Sequence, residues 1–104
     1  MQAILVITTF PTKDEAMKVA NLLVEKRLVA CAQIQPEMTS IYRWQGAIEQ
    51  SKEVAVHLKT IETLWPKIEA EIKEHHSYDV PEIIAIPLAQ ISSEYNAWLN
   101  EQLA

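Results

Sequence analysis

The sequence predicts an α+β fold built as a two-layer sandwich, because strand-like and helix-like segments alternate along one short chain. Two apolar runs, Ala3–Ile7 and Glu82–Ile86, are typical of strands that are buried on both faces. A long hairpin occupies the middle of the chain, and an amphipathic helix lies on either side of it. The order is βαββαβ with a short C-terminal helix, predicted as a single domain over residues 1–104. Two right-handed βαβ crossovers that share one sheet give a ferredoxin-like sandwich.

The first helix is predicted by a capping box and an apolar stripe. Thr12 can accept a hydrogen bond from the backbone N–H of Glu15, and the Glu15 carboxylate can reach back to the threonine. Four small or apolar residues then recur at helical spacing: Ala16, Val19, Ala20 and Leu23. The helix is therefore predicted to span about Lys13–Lys26.

The extended central hairpin is predicted to run from Leu28 to Thr60. Its turn, Trp44–Ala47, contains Gly46, the only glycine of the chain, and glycine adopts the positive φ of tight turns without steric cost. Two sets of residues alternate on the return arm: Val54, Val56 and Leu58 against Glu53, Ala55, His57 and Lys59. Pro36 interrupts the outgoing arm, because proline cannot donate to a strand ladder. Each arm is about twice the usual ~5–6 residues, so the hairpin should overhang the domain and need a partner.

Two further helices are predicted after the hairpin. The second helix carries the apolar stripe Ile61, Leu64, Trp65, Ile68 and Ile72. Pro66 must lie in its first turn or kink it, and the helix ends near His75–His76. Ser92 or Ser93 caps the terminal helix, whose apolar stripe is Tyr95, Trp98, Leu99 and Leu103.

Composition limits the function. The formal net charge is −5, which argues against a nucleic-acid partner because such proteins need a basic surface. Cys31 is the only cysteine, so no intrachain disulfide can form, and a reducing, cytoplasmic location is expected. No apolar run approaches the ~18 residues of a membrane helix, and the run Ala3–Ile7 is too short for a signal peptide. A single glycine excludes phosphate-cradling loops and dinucleotide fingerprints.

Several motifs resemble those of the CutA family, the divalent-cation tolerance proteins, in register along nearly the whole chain. They are Ala30–Ala32, Ser40–Glu49, Lys59–Thr60 and His76–Ile83. The resemblance implies a ferredoxin-like subunit in a tight homotrimer, with an architecture related to that of the PII signalling proteins. It also implies copper and other divalent cations as ligands, a role in the response to copper or in metal tolerance, and no settled enzymatic reaction.

The resemblance places the metal ligands at His75 and His76. Some members of the family have a cysteine where this chain has Thr8, a poor ligand for Cu(I), and a proline where it has Ser77. Adjacent helical residues point about 100° apart, so only unwinding at the helix end would let both imidazoles reach one ion. Glu71, one turn earlier, could add an oxygen. The alternative to a metal site is that the two histidines only place positive charge at the C-terminus of the helix, where it is favourable. The spacing alone leaves both interpretations open.

A second group of residues recurs in the family's motifs: Cys31, Tyr42, Trp44, Glu49, Lys59, Tyr78 and Glu82. They could line a pocket between subunits, where a lysine beside carboxylates and phenols could hold a small anion. The interpretation that the aromatic character favours is instead a set of aromatic and charged contacts that fix the interface. Cys31 lies in an apolar strand segment, which favours a small buried hydrophobe over a metal or redox thiol.

The leading functional hypothesis is a trimeric, cytoplasmic protein that binds copper and other divalent cations and is not an enzyme. The alternative is a PII-like signalling scaffold that binds a small molecule or a protein, with incidental metal binding. The trimer hypothesis also has a structural basis. Helices of this sandwich cover one sheet face, whereas the first and last strands are apolar on both faces, so another subunit is expected to cover the second face.

Overall fold

The computed structural model describes all residues, Met1–Ala104, and confirms the α+β class. Five antiparallel strands form one sheet, and three helices pack around it. The elements in chain order are β1 (Ala3–Phe10), α1 (Lys13–Glu25), β2 (Cys31–Ile34), β3 (Met38–Trp44), β4 (Ala47–Ile61), α2 (Trp65–His75), β5 (Ile83–Pro87) and α3 (Ser93–Gln102). A single 3-10 turn, Glu62–Leu64, leads into α2. None of the helices has the length and apolar character that crossing a bilayer requires.

The sheet is organised around β4, a strand of 15 residues with three partners. Its C-terminal part pairs with β1 on one side and β2 on the other, and β5 pairs with β1, which gives the order β2–β4–β1–β5. Its N-terminal part pairs only with β3, from Trp44 opposite Ala47 to Met38 opposite Glu53. The predicted interruption at Pro36 is confirmed, since β2 ends at Ile34 and β3 begins at Met38.

The hairpin turn is confirmed at the predicted position, but two residues have positive φ there rather than one. Gln45 has φ 48° and Gly46 has φ 82°. Two consecutive residues of this kind give a turn whose twist matches that of the flanking strands. A Cβ at Gly46 would meet no atom within 4 Å, so backbone conformation, not space, is the reason for glycine here.

The two faces of the sheet have different surroundings. One face carries alternate residues of β1 and β4, such as Val6 and Leu58, and is buried beneath the helices. On the other face, Ile84 is 48% exposed and Ile86 is 46% exposed, while Leu5 is only partly buried beside them. The β1 and β5 part of the second face is therefore apolar and partly accessible in the isolated chain, as the apolar runs predict, whereas β4 adds His57 and Lys59 to this face.

Several details correct the sequence-based expectations. Ile61 ends β4 and is not part of the second helix, whereas Pro66 lies in the first turn of α2 as expected. Ser92 is the cap of α3, and in its stripe Leu99 is buried while Trp98 is 40% exposed. Cys31 is only partly buried, because it begins the edge strand β2, so the expectation of a buried thiol is wrong for the isolated chain.

Two fully buried threonines on the helix-covered face differ in their hydrogen bonding. The Thr60 hydroxyl donates to the backbone oxygen of Leu28 at 2.7 Å and so holds the chain that leads from α1 to β2. The Thr8 hydroxyl has no hydrogen-bond partner. Since burial without a partner carries a desolvation cost, only the first hydroxyl is expected to stabilise the fold.

Replacing each threonine by valine, which has nearly the same shape, tests this difference. Thr60→Val should lower the free energy of unfolding by about 1–3 kcal/mol, because it leaves the Leu28 carbonyl without its donor. Thr8→Val should leave stability unchanged or raise it. Equilibrium denaturation of both variants at equal protein concentration measures the difference, and equal destabilisation would contradict the assignment.

Candidate functional site

The C-terminal turn of α2 gathers three side chains that can ligate a metal. Glu71, Glu74 and His75 lie at positions i, i+3 and i+4 of the helix and therefore share one face. Each offers one ligand atom, and these atoms all lie within 4.8 Å of one another. We call these three residues the α2 cluster. Sequence analysis identified His75 and Glu71 but missed Glu74, although its spacing places it on the same face.

The hydrogen bonds of the α2 cluster leave specific ligand atoms free. His75 Nδ1 lies 3.0 Å from the backbone oxygen of Glu71, so this nitrogen carries the proton and Nε2 keeps its lone pair. One carboxylate oxygen of Glu71 accepts from the ammonium of Lys26 at 2.8 Å. Its other oxygen, Oε2, is buried and has no hydrogen-bond partner. The cluster therefore offers an imidazole nitrogen and carboxylate oxygens.

His76 lies in different surroundings from His75. It leaves the helix with extended backbone, φ −88° and ψ 141°, and its side chain is fully buried. Its Nδ1 accepts from the backbone N–H of Tyr78 at 3.0 Å, so Nε2 carries the proton and donates to the backbone oxygen of Thr9 at 2.6 Å. The ring stacks on Phe10 with centroids 4.5 Å apart. In this conformation neither nitrogen of His76 is free for a metal.

Ser77 and Thr8, the two positions at which the sequence departs from the motifs it resembles, have different surroundings. Ser77 donates to the Glu15 carboxylate through its backbone N–H at 3.1 Å and through its hydroxyl at 3.0 Å. A proline at this position would have neither donor, so the serine ties the connector between α2 and β5 to α1. Thr8 is fully buried on the helix-covered face and does not belong to the α2 cluster.

A cavity of about 560 Å³ lies between the β3–β4 hairpin and the connector. Four of the residues that the sequence assigned to a pocket line it together: Tyr42, Trp44, Tyr78 and Glu82. The remaining lining residues are Thr9, Ser40, Ile41, Glu53, Asp79 and Val80. We call this space the hairpin cavity. It is formed within one chain.

The other three residues assigned to the pocket lie elsewhere. Cys31 and Lys59 are opposite each other on β2 and β4, and the Lys59 ammonium lies 5.6 Å from the ring centroid of Tyr95 on α3. Glu49 is opposite Tyr42 on the exposed part of the hairpin but does not line the cavity. The lysine expected to hold an anion is thus absent from the cavity lining.

Glu53 is the one buried carboxylate of the cavity, and it is among the lining residues to which the sequence assigned no function. Its carboxylate is buried, and Oε2 accepts from the hydroxyls of Tyr78 at 3.0 Å and Thr9 at 3.3 Å. Burial, together with the hydrogen bond and negative charge of Glu53, raises the pKa of Tyr78 from 10.0 to about 12. One signal was available in the sequence, since Glu53 is a carboxylate that directly precedes the apolar segment Val54–Leu58.

Comparison with known proteins gives matches along almost the whole chain. A family model described as "CutA1 divalent ion tolerance protein" matches residues 4–102. The divalent-cation tolerance protein CutA of Pyrococcus horikoshii is 46% identical over 99 residues, covering 95% of this chain and 96% of that protein. The structure of the divalent cation tolerance protein (Cut A1) from Thermus thermophilus matches with a TM-score of 0.95 and 41% identity, covering 98% of this chain and 99% of that one. The periplasmic divalent cation tolerance protein CutA from Archaeoglobus fulgidus matches with a TM-score of 0.93 and 34% identity, covering 96% and 97%.

The hydrogen bond between Tyr78 and Glu53 should be visible in a spectrophotometric titration of the tyrosines. One phenol should ionise only near pH 12, and Glu53→Gln should lower its pKa because the negative charge is removed. The folded-state pKa lies above the ordinary 10.0, so the contribution of this phenol to stability is complete below pH 10 and is lost as the pH rises through about 12. Titration of all tyrosines near pH 10 in the folded protein would contradict the assignment.

Proposed function

Because the chain belongs to the CutA1 divalent ion tolerance protein family, we propose that it binds divalent cations, with copper as the first candidate. The observation that carries this proposal is the convergence of Glu71, Glu74 and His75 at the end of α2. We further propose that the protein acts as a homotrimer in the cytoplasm and catalyses no reaction.

The donor atoms of the α2 cluster fit a borderline divalent ion. Imidazole nitrogen suits copper and zinc, and carboxylate oxygens can complete the coordination. The buried Oε2 of Glu71, which has no partner, is the kind of atom that a bound cation would satisfy. The Nδ1 hydrogen bond of His75 to the backbone orients the ring and leaves Nε2 with the lone pair that a metal needs.

His76 has a positioning role in this proposal. The sequence assigned both histidines to the metal, but the two ring nitrogens of His76 already bond to Thr9 and Tyr78. These bonds fix the point at which the chain leaves α2, immediately after His75. His76 therefore holds the cluster in place without contributing a ligand in this conformation.

The proposed trimer rests on apolar surface that the isolated chain leaves accessible. The hairpin exposes Ile41 and Ile48, at 66% and 67%, together with half of Trp44. The open face of the sheet adds Ile84 and Ile86. Patches of this kind mark protein–protein contacts, and head-to-tail contacts close into a ring when the rotation allows. The number three comes from the family architecture that the sequence resembles.

The cytoplasmic location is the part of the proposal that composition supports, through a single cysteine that can form no intrachain disulfide. The related protein of Archaeoglobus fulgidus is named periplasmic, so compartments need not be shared. The hairpin cavity favours a second candidate function, a PII-like scaffold that binds a small molecule, because its volume of about 560 Å³ is in the range of ligand sites.

Copper titration of the apoprotein tests the metal site. His75→Ala should weaken Cu²⁺ binding at least about tenfold, because the only nitrogen ligand is lost, and Glu74→Gln should weaken it less. Glu69→Gln is the matched control, since it removes a charge from the same helix outside the α2 cluster. Calorimetry on folded variants measures the effect. Wild-type affinity in His75→Ala would refute the site. His76→Ala removes no proposed ligand and should weaken binding less than His75→Ala, so an equal or larger loss in His76→Ala with unchanged folding would restore His76 as a ligand.

The proposed assembly predicts a particle of three times the 11.9 kDa protomer mass. Trp44→Asp should release monomers that are less stable or aggregate, because it places a charge on the apolar hairpin surface. Gln50→Asp, a change to another exposed hairpin residue without apolar contact surface, is the control. Light scattering at micromolar concentration measures the mass. A compact wild-type monomer would contradict the trimer without bearing on the copper site.

A further inference from the structure

We propose that the hairpin cavity binds a small organic ammonium ion that carries an apolar body. This ligand class differs from the divalent cations of the proposed function and from the small anion expected from the sequence. The proposal stands on the charge of the cavity, on the environment of Glu53 and on the aromatic side chains around it.

The cavity lining is negatively charged, and no basic side chain of the lining neutralises it. Three carboxylates line it, those of Glu53, Asp79 and Glu82, and none of its ten lining residues is lysine, arginine or histidine. The ion pairs of the chain involve other acids, so these three have no basic partner within 4.0 Å. A cavity with this lining repels anions and attracts cations.

Glu53 identifies where the cationic group would bind. The residue is only 8% exposed, yet no cation of the chain neutralises it. The hydroxyls of Tyr78 and Thr9 both donate to Oε2, which leaves Oε1 without a hydrogen-bond partner in the chain. Oε1 is the carboxylate oxygen still open to the cavity, because only Oε2 accepts from the chain. An ammonium group that donates to Oε1 would supply a counter-charge and a charge-assisted hydrogen bond.

Aromatic and apolar side chains form the rest of the cavity and suit the body of such a ligand. Tyr42, Trp44 and Tyr78 present three rings, and Ile41 and Val80 add aliphatic surface. An ammonium over an aromatic face gains a cation–π attraction, strongest for tryptophan. The Tyr78 ring is preorganised, because its hydroxyl donates to Glu53 and its ring centroid lies 4.8 Å from that of His76.

The same geometry argues against a metal ion in this cavity. Glu53, Asp79 and Glu82 line one space, but their oxygens do not converge as those of the α2 cluster do. Divalent ions require several oxygens in one compact coordination shell. Separated carboxylates combined with aromatic rings favour a larger, partly apolar cation.

Three probes with the same aromatic body and different charges test the proposal on the assembled wild-type protein. Phenethylammonium chloride should bind, with a Kd of about 1 mM or lower, whereas phenylacetate and phenethyl alcohol should bind at least about tenfold more weakly. Calorimetry at low ionic strength measures all three. No heat of binding for the ammonium up to about 10 mM, or equal binding of the neutral alcohol, would overturn the proposal.

Variants distinguish binding in the hairpin cavity from a general attraction of the ammonium to the negatively charged protein. Glu53→Gln, which keeps the shape of the side chain, should weaken ammonium binding about tenfold or more. If it does not fold, Glu82→Gln at the exposed rim should weaken binding about threefold. Glu101→Gln changes the net charge equally, lies outside the cavity and should bind as wild type. Equal weakening by Glu101→Gln, or an assembly structure with a neighbouring copy's lysine or arginine on Glu53, would overturn the assignment.

Discussion

The register of β4 is the constraint on which the rest of the structure depends. This strand of 15 residues pairs with β1 and β2 through its second half and with β3 through its first half. Its side chains alternate between a face covered by helices, which holds Val56 and Leu58, and an open face, which holds His57. Slipping the strand by one residue would move His57 into the core and the valines into solvent, so the burial pattern fixes the register. Glu53, at the junction of the two halves, is thereby held beside Thr9 and Tyr78.

Local signals in the sequence predicted the elements, whereas tertiary contacts determined the sites. The Thr12 cap and the turn at Gly46 are confirmed because each depends on a few adjacent residues, and the Thr12 hydroxyl accepts from the Glu15 N–H. The reciprocal half of the predicted capping box is wrong, because the Glu15 carboxylate accepts from Ser77 and not from Thr12. The family motifs identified residues that recur but not which of them meet within one chain, where Lys59 does not line the hairpin cavity; its predicted place in a pocket between subunits stays a prediction. Glu53 was missed because its importance comes from contacts with residues 44 and 25 positions away in the chain.

The segment from His75 to Tyr78 connects the α2 cluster to the hairpin cavity. His75 faces the helix and belongs to the cluster, and His76 turns inward to stack on Phe10. The next two residues are fixed as well, Ser77 by Glu15 and Tyr78 by Glu53. Every side chain of this segment thus has a bonded or stacked partner. A substitution that frees this segment would disturb both the α2 cluster and the hairpin cavity. The folding of a variant in either site must therefore be checked before a change in ligand binding is assigned to that site.

Subunit assembly affects the hairpin cavity directly but not the α2 cluster. The hairpin cavity shares Tyr42 and Trp44 with the exposed hairpin surface, so any subunit that covers the hairpin changes the accessibility of the cavity. The α2 cluster contains no hairpin residue and is anchored instead to Lys26, the residue that follows α1, through its ion pair with Glu71. Linkage is reciprocal, so a ligand in the hairpin cavity must strengthen or weaken assembly to the same extent that assembly changes its affinity. Metal bound at the α2 cluster has no such direct contact with the hairpin. Its coupling to assembly would have to pass through the segment from His75 to Tyr78.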